Sequence, residues 1–595
     1  MVLSLIMASL IQPPLHIRVS DFGVVPGSLG DATLAVNRAI DAAHGRTAVV
    51  EFAPGDYHFY RDHAFDRELY LSNTQVENPR KISILLENQN GLSLEGHGAR
   101  LIFHDRTIPF ALLNSNDVKL NGFTVDWDRP MMSQGTVVES GPTGFALSID
   151  ARAFPYEVED GQLYFVDHTW KRRVWAFMEF DPSTKGVRES TGDAGFTDGP
   201  WSEAAVHEIG PGKVRFDYHC KRFPKVGDLL VARHGVRDHA GTFIDGCRNV
   251  TLSDIRYRFT SGLGILSQYS ENLTFRRVEV APDPASGRVF AGHDDGFHFS
   301  NCKGSILVED ARFEGLMDDP INVHGTAVRV IEKLGPKTLK CRFMHDESVG
   351  MRFADPGDSI SLIDHETMLS RGTERVRGVK HVSAREFEIE VEKPLPEDLA
   401  PNDAVENLTW TPSFTVRNTT FGRVRARGLL VSTPGKVLVE GCTFRSSGAA
   451  ILIAGDANYW FESGAVRDVT IRKNVFENCN TSPYQDGDAV ISIHPEIPKP
   501  GRTTFHENIR IENNTFRMFD APVLWAKSVK GLCFLHNRIQ ATKDFAATRS
   551  TQAGLTFVDC QDVHVEMNHL DRGFSGNSIR IETGNGNPAV VKPWK

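Results

Sequence analysis

The chain of 595 residues has no CxxC pair, no Cys and His at metal-finger spacing, and no apolar run approaching the length of a membrane span. The first two absences exclude a zinc-finger module, and the third excludes a spanning helix, so no membrane partner is expected. Its eight cysteines lie between Cys220 and Cys560. Contexts such as Asp245-Gly246-Cys247 and Gly441-Cys442-Thr443 suit reduced, buried thiols, with disulfides open to an exported chain. Basic charge is not in excess either. A formal net charge of −10 argues against a nucleic-acid partner. Carbohydrate is neutral and needs no opposing field, so the balance permits a glycan enzyme. Val2 to Leu10 is apolar, but no Lys or Arg precedes Arg18, so the basic region of a signal peptide is missing. The stretch reads as a damaged export signal or as the first strand. A secreted or periplasmic location is the expectation.

What is present is a repeat. Its element is an apolar residue, a second two positions on, and a third seven positions after the first. Clear copies are Val250/Leu252/Tyr257, Ile306/Val308/Phe313, Phe414/Val416/Phe421, Val437/Val439/Phe444, Val469/Ile471/Phe476, Ile509/Ile511/Phe516 and Leu532/Phe534/Ile539. Weaker ones begin at Val118, Leu273 and Val563. The i, i+2 pair reads as a short strand with both side chains inward. A polar residue or Gly follows, as at Asn418, Gly441 and Asn513, and turns the chain. Anchors recur at 23 residues or about ten more, the period of a solenoid. The Leu-x-x-Leu-x-Leu register of leucine-rich repeats is absent. The expected fold is all-β: a right-handed parallel β-helix, a pectin-lyase-like solenoid. The N-terminal segment resembles polygalacturonases and pectate lyases. Val36, Ala39, Ile40 and Ala43 share a helical face suited to plugging the first coil, and Val49 to Tyr57 looks like the first-coil strand.

Two stretches break the repeat with alternating strand patterns, as in Thr136-Val137-Val138 and Glu386 to Val391. The expected organisation is cap and first coils over 1–128, an inserted β module over 129–235 and central coils over 236–325. A second inserted module follows over 326–412, then C-terminal coils over 413–595. Both modules are expected to be small and β-barrel-like. Long insertions on one side of a solenoid commonly wall a binding site.

Between the insertions lies the densest polar cluster: His293-Asp294-Asp295-Gly296-Phe297-His298, then Asp318-Asp319-Pro320-Ile321-Asn322-Val323-His324. The Asp pairs are 24 residues apart, close to one winding, which stacks them with backbones about 4.8 Å apart. Crowded carboxylates repel and lose solvation, so such a cluster needs a proton, a cation or a positioned water. Singly, an Asp-Asp pair is ordinary turn chemistry. Stacked and flanked by His293, His298, His324 and His345, the pairs read as functional. A metal site is the rival use, but no HxH or HExxH spacing accompanies it.

The run Gly315-Leu316-Met317-Asp318-Asp319-Pro320-Ile321-Asn322-Val323-His324-Gly325-Thr326 resembles the signature of glycoside hydrolase family 110, the α-1,3-galactosidases. Supporting stretches are His293 to Phe299, Arg342 to His345, and Gly455 to Gly464. The resemblance spans most of the chain. It implies inverting removal of a terminal α-1,3-linked galactose, as on blood group B or linear α-galactosyl glycans, without a metal or other cofactor. Asp346 to Gly350 departs from the familiar pattern on the leaving-group side. The Asn-Thr-Asp and Gly-His-Gly pattern of polygalacturonases is not present in order.

An inverting glycosidase separates its acid and base by roughly 6.5–9.5 Å. Stacked aspartates are nearly too close for that, so Asp295 and Asp319, with Asp318 beside them, are expected to hold the nucleophilic water. The acid is then a carboxylate across the pocket, Glu347 or Glu462. The opposite division, Asp318 as base and Asp295 as acid, stays open. Asp294, His298, Asn322, His324 and His345 are candidate partners for sugar hydroxyls, although strand alternation would turn Asp294 and Asp318 inward. Trp460 is a candidate platform for galactose, or else a cap over a coil turn. Alternatives in other classes are a β-helix hydrolase, lyase or epimerase acting on polysaccharide, and a non-catalytic glycan binder. A lyase would want a Lys, Arg or Tyr base that these two runs do not offer. Solenoid flanks often pair, so a homodimer is possible.

Overall fold

The computed structural model describes residues 13–191, 204–219, 222–482, 487–500, 503–582 and 590–591. The Val2–Leu10 segment and Cys220 lie outside them. The seven described cysteines are free, and all but Cys533 are buried.

Three parallel sheets wind into a β-helix. The repeat anchors fall into register on successive coils. Val250 pairs with Leu273, Leu273 with Ile306, Ile306 with Phe414, Phe414 with Val437, and so on to Val563. The third anchors stack likewise on the second sheet, where Phe421, Phe444 and Phe476 lie ring over ring. The inward pair excludes water, and the aromatic anchor fills the corner between sheets. The stack begins earlier than expected. Leu15–Arg18 pairs in parallel with Ala48–Glu51, so the segment from Val49 lies in the second strand of this sheet. Between them the helix Thr33–Ala42 buries Val36, Ala39 and Ile40.

The polar turn has two parts. Asn418, Gly441 and Asn513 take positive φ, where Asn and Gly are tolerated. One residue later, buried asparagines form a ladder. Asn514 Oδ1 accepts from the Asn474 N–H at 3.0 Å, and its Nδ2 donates to the Ile471 carbonyl at 2.9 Å. Asn537 and Asn568 repeat the pattern on the next coils. Asn514→Leu is expected to lower the unfolding free energy, read from a urea titration, by about 1–3 kcal/mol for each backbone group left unpaired, with the midpoint falling accordingly. An unchanged midpoint would mean that the coils stack without the ladder.

The two insertions leave the stack uninterrupted, since Val125 pairs directly with Tyr257 and Phe313 with Phe421. The first forms a seven-stranded antiparallel sheet running from Met132–Gly141 to Leu229–Arg233. The second is a closed antiparallel barrel. The 15-residue strand Ile321–Gly335 starts in the third sheet of the solenoid and ends as a barrel stave, pairing with Thr338–Arg342 and Ala404–Asn407. One strand therefore joins the solenoid face to the wall above it.

Candidate active site

The strand Phe297–Ser300 lies parallel to Ile321–Gly335, with Phe297 opposite Ile321 and His298 opposite Asn322. The Gly296 N–H donates to the Asp319 carbonyl at 2.9 Å. A Cβ on Gly296 would stand 2.6 Å from the Pro320 oxygen, so this close approach requires glycine. The Asp294-Asp295 and Asp318-Asp319 pairs thus sit one coil apart. Alternation fails for the second pair: both Asp318 and Asp319 reach the cleft, because residues 317–320 form a bend before the strand begins.

Two arginines supply the cation that the crowded carboxylates need. Arg237 Nε stands 3.2 Å from Asp294, its Nη2 is 3.7 Å from Asp295, and the same Nη2 is hydrogen-bonded to Asp318. Arg427 forks onto Asp319 through Nε at 2.9 Å and Nη2 at 2.8 Å, with its backbone N–H donating at 3.0 Å. Neither arginine was singled out by sequence reasoning. The signal was the unmet charge of the aspartates, which asks for a cation without naming one.

Asp295, Asp318, Asp319, Asn322, Trp460 and Glu462 line a cleft of about 270 Å³. A wider vestibule of about 840 Å³, sharing Tyr459 and Trp460 with the cleft, is lined by His345 and Glu347 from the second insertion. Asp456 accepts from the backbone N–H groups of Asn458, Tyr459, Trp460 and Phe461, which fixes the loop carrying Trp460. The Trp460 ring lies 4.4 Å from that of His345. Glu462 is set by a short pairing with Gly325 and Thr326, and accepts from Asn73 at 2.6 Å and Asn322 at 3.4 Å.

Three expected sugar contacts are corrected. His298 and His324 are 0% and 1% exposed and reach neither space. His298 Nδ1 sits 2.6 Å from Asp295 Oδ2, its Nε2 is 2.8 Å from that of His324, and His324 lies 3.7 Å from Glu462. Buried carboxylates need polar partners; His298 bonds Asp295 from beneath, and His324, which bonds His298 and the Gly325 carbonyl, stands beside Glu462. Asp294 is likewise behind the cleft, 2.9 Å from His293 Nδ1. Asn322 and Trp460 do face the cleft, and the buried Asn322 Oδ1 has no hydrogen-bond partner among the described residues.

Environment separates the carboxylates. Burial and the neighbouring Asp318 carboxylate push Asp295 well above the usual range, more than Arg237 offsets. Burial also opposes ionisation of Asp318, but Arg237, Arg425 and Arg427 outweigh it and hold that group low. Asp294 is held low against its burial by His293 and Arg237. Glu462 is low despite burial, chiefly through His324 and His298. Burial pushes Asp319 up to about 7 even with Arg427 on it. Glu347, across the vestibule, is also raised by burial to about 7. Ionised and protonated carboxylates therefore stand around one small space, as acid–base chemistry requires.

The comparisons agree with this architecture. Family models described as GLAA-B beta-barrel domain I and GLAA-B beta-barrel domain II match residues 133–230 and 338–405, and one described as right handed beta helix region matches 405–592. The alpha-1,3-galactosidase B of Bacteroides thetaiotaomicron is 43% identical over 574 residues, 95% of this chain and 92% of that protein. The alpha-1,3-galactosidase A of Bacteroides fragilis is 38% identical over 583 residues, covering 95% and 94%. The alpha-1,3-galactosidase B of Akkermansia muciniphila is 36% identical over 534 residues, 89% of this chain and 66% of that protein.

Proposed function

The chain belongs to the α-1,3-galactosidases, glycoside hydrolase family 110, and from that premise we propose that its cleft removes one terminal α-1,3-linked galactose with inversion, from acceptors such as blood group B or linear α-galactosyl glycans. The observation that carries the mechanism is the division of carboxylates between floor and rim. One Arg237 nitrogen touches both Asp295 and Asp318, and the longer of its two contacts is 3.7 Å. Their oxygens therefore fall short of the roughly 6.5–9.5 Å between an inverting acid and base. The floor aspartates act together on the water instead, with Asp318 the ionised member. The acid is Glu347, on the rim where the leaving sugar departs. Water attacks the anomeric carbon and gives a proton to the floor. The glycosidic bond breaks as its oxygen takes the Glu347 proton.

Asn322 and His345 hydrogen-bond sugar hydroxyls, and Trp460, at the junction of cleft and vestibule, packs on the apolar face of the galactose. The chain works outside the cytoplasm on glycans presented there.

A general acid must carry its proton, so activity is present below its pKa and lost above it. We expect kcat/KM to fall as pH rises through about 7 and Glu347→Gln to remove that limb. Glu347→Gln is also expected to cost about 10²-fold on galactose-α-1,3-galactose but under tenfold on a dinitrophenyl α-galactoside, whose leaving group needs no proton. Rescue of Asp295→Asn instead would make Asp295 the acid. Proton NMR of the released sugar should show β-galactose first. The α-anomer first would overturn inversion.

A further inference from the structure

The third sheet does not end at the cleft. Its outward column runs in register from Asn322 through Leu430, Leu452 and Ser492 to Trp525, Thr556 and Arg580. At about 4.8 Å per strand, Trp525 lies about 19 Å along the face from Asn322. Beyond the cleft the same face opens into a second groove of about 570 Å³ on the C-terminal coils. It is lined by the half-buried Trp525 ring, the hydroxyls of Thr551, Thr556 and Ser578, and the exposed Gln552 amide. The two spaces meet at His494. His494 lines the cleft, and its ring stacks on Trp525 with centroids 4.6 Å apart. Asp488, on the groove wall, sits 2.9 Å from His494 Nδ1 and fixes that ring.

We propose that this groove is a second, non-catalytic site for a neutral oligosaccharide, holding an internal stretch of a hexose-based glycan on the same face as the cleft. The inference rests on the cleft's acting on a glycan. An indole among hydroxyl and amide groups is the inventory that sugar rings select, apolar C–H faces on the ring and hydroxyls on the polar groups. The charges argue against a phosphate or uronate ligand. The groove's cation Arg580 is paired with Glu582 at 2.5 Å, and Asp488 adds a further carboxylate. Removal of a terminal sugar needs only the cleft and the vestibule, and the vestibule is built from other elements. The mechanism therefore leaves this groove unused.

The test is calorimetric titration of the full chain with a poly-N-acetyllactosamine hexasaccharide that carries no α-galactose, beside hydrolysis of galactose-α-1,3-galactose. The parent is expected to bind the hexasaccharide, Trp525→Ala to weaken binding about tenfold, and Trp525→Phe to restore most of it. Gln552→Ala and Arg580→Ala, at exposed positions, should weaken binding several-fold and leave kcat/KM on the disaccharide within about twofold. They keep the question answerable if Trp525→Ala does not fold. No binding by the parent, or equal binding by the variants, would overturn the second site. Failure of the parent to cleave the disaccharide would count against the galactosidase reading and leave the titration to stand or fall by itself.

Discussion

Asp295→Asn and Asp319→Asn are each expected to lower kcat by about 10²-fold or more. The cooperative melt should stay close to the parent's for Asp295→Asn and fall for Asp319→Asn, which leaves Arg427 without its charged partner. The amide keeps the shape of the carboxyl but can neither carry nor exchange the proton that the coupled floor carboxyls hold around Asp318, which places the loss on the scale of general acid–base catalysis. Both side chains line the cleft, and both are almost wholly buried. Asp318→Asn should be at least as damaging, since it removes the floor carboxylate that Arg237 and its neighbours keep ionised. Asp294→Asn separates the site from its support. Asp294 does not line the cleft, so its loss should act through Arg237 and His293, changing stability and the pH profile more than kcat. Near-parental turnover in both Asp295→Asn and Asp319→Asn would end the assignment of the floor.

The second large effect concerns Arg427. Its fork onto Asp319 is buried, with side chains 11% and 1% exposed. Breaking such a pair on one side leaves a charge without compensation, at a cost of about 3–5 kcal/mol. Arg427→Ala is therefore expected to lower the unfolding free energy by that amount in a denaturant titration, and Arg427→Lys to recover the charge but not the two-pronged geometry. The sign of the pH effect follows from the same contact. Removing the cation raises Asp319 further above about 7. A group that must be deprotonated then works only at higher pH, so the acid limb of any residual activity should move up. An Arg427→Ala chain as stable and active as the parent would show the fork to be idle.

The solenoid was legible because burial imposes a spacing on the residues themselves. Val250, Leu252 and Tyr257 are all fully buried, and their equivalents stack coil on coil. The aspartate pairs were legible for a related reason, since 24 residues is one winding. The arginines were not. Arg237 and Arg427 meet their partners across 81 and 108 residues, the first over several coils and the second through the second insertion, along paths that no local pattern encodes. Among 66 Lys and Arg residues the demand for a cation points to none in particular. Glu347 was named only as one of two carboxylates that could face the floor, in a stretch that departs from the family pattern, because its position depends on closure of the inserted barrel. His298 and His324 were misjudged for a different reason. A polar residue in a strand beside a cleft looks like a contact, and nothing in the sequence shows that it lies under the carboxylates.

The shared winding of the two aspartate pairs also makes the reaction centre sensitive to strand length. The strands between Gly296 and Asp319 must bring the chain round by one whole turn. A single residue added or lost within a paired strand or the bend at 317–320 would slip the ladder by one place and swing the second pair to the opposite face. The turns, by contrast, take up length, as coils of 23 and 33 residues keep the same register. Further along, an entire coil could be duplicated without disturbing the spacing at the floor. In this architecture the pitch of one coil works as the ruler for the chemistry, so engineered changes of length are safest in the turns or as complete coils.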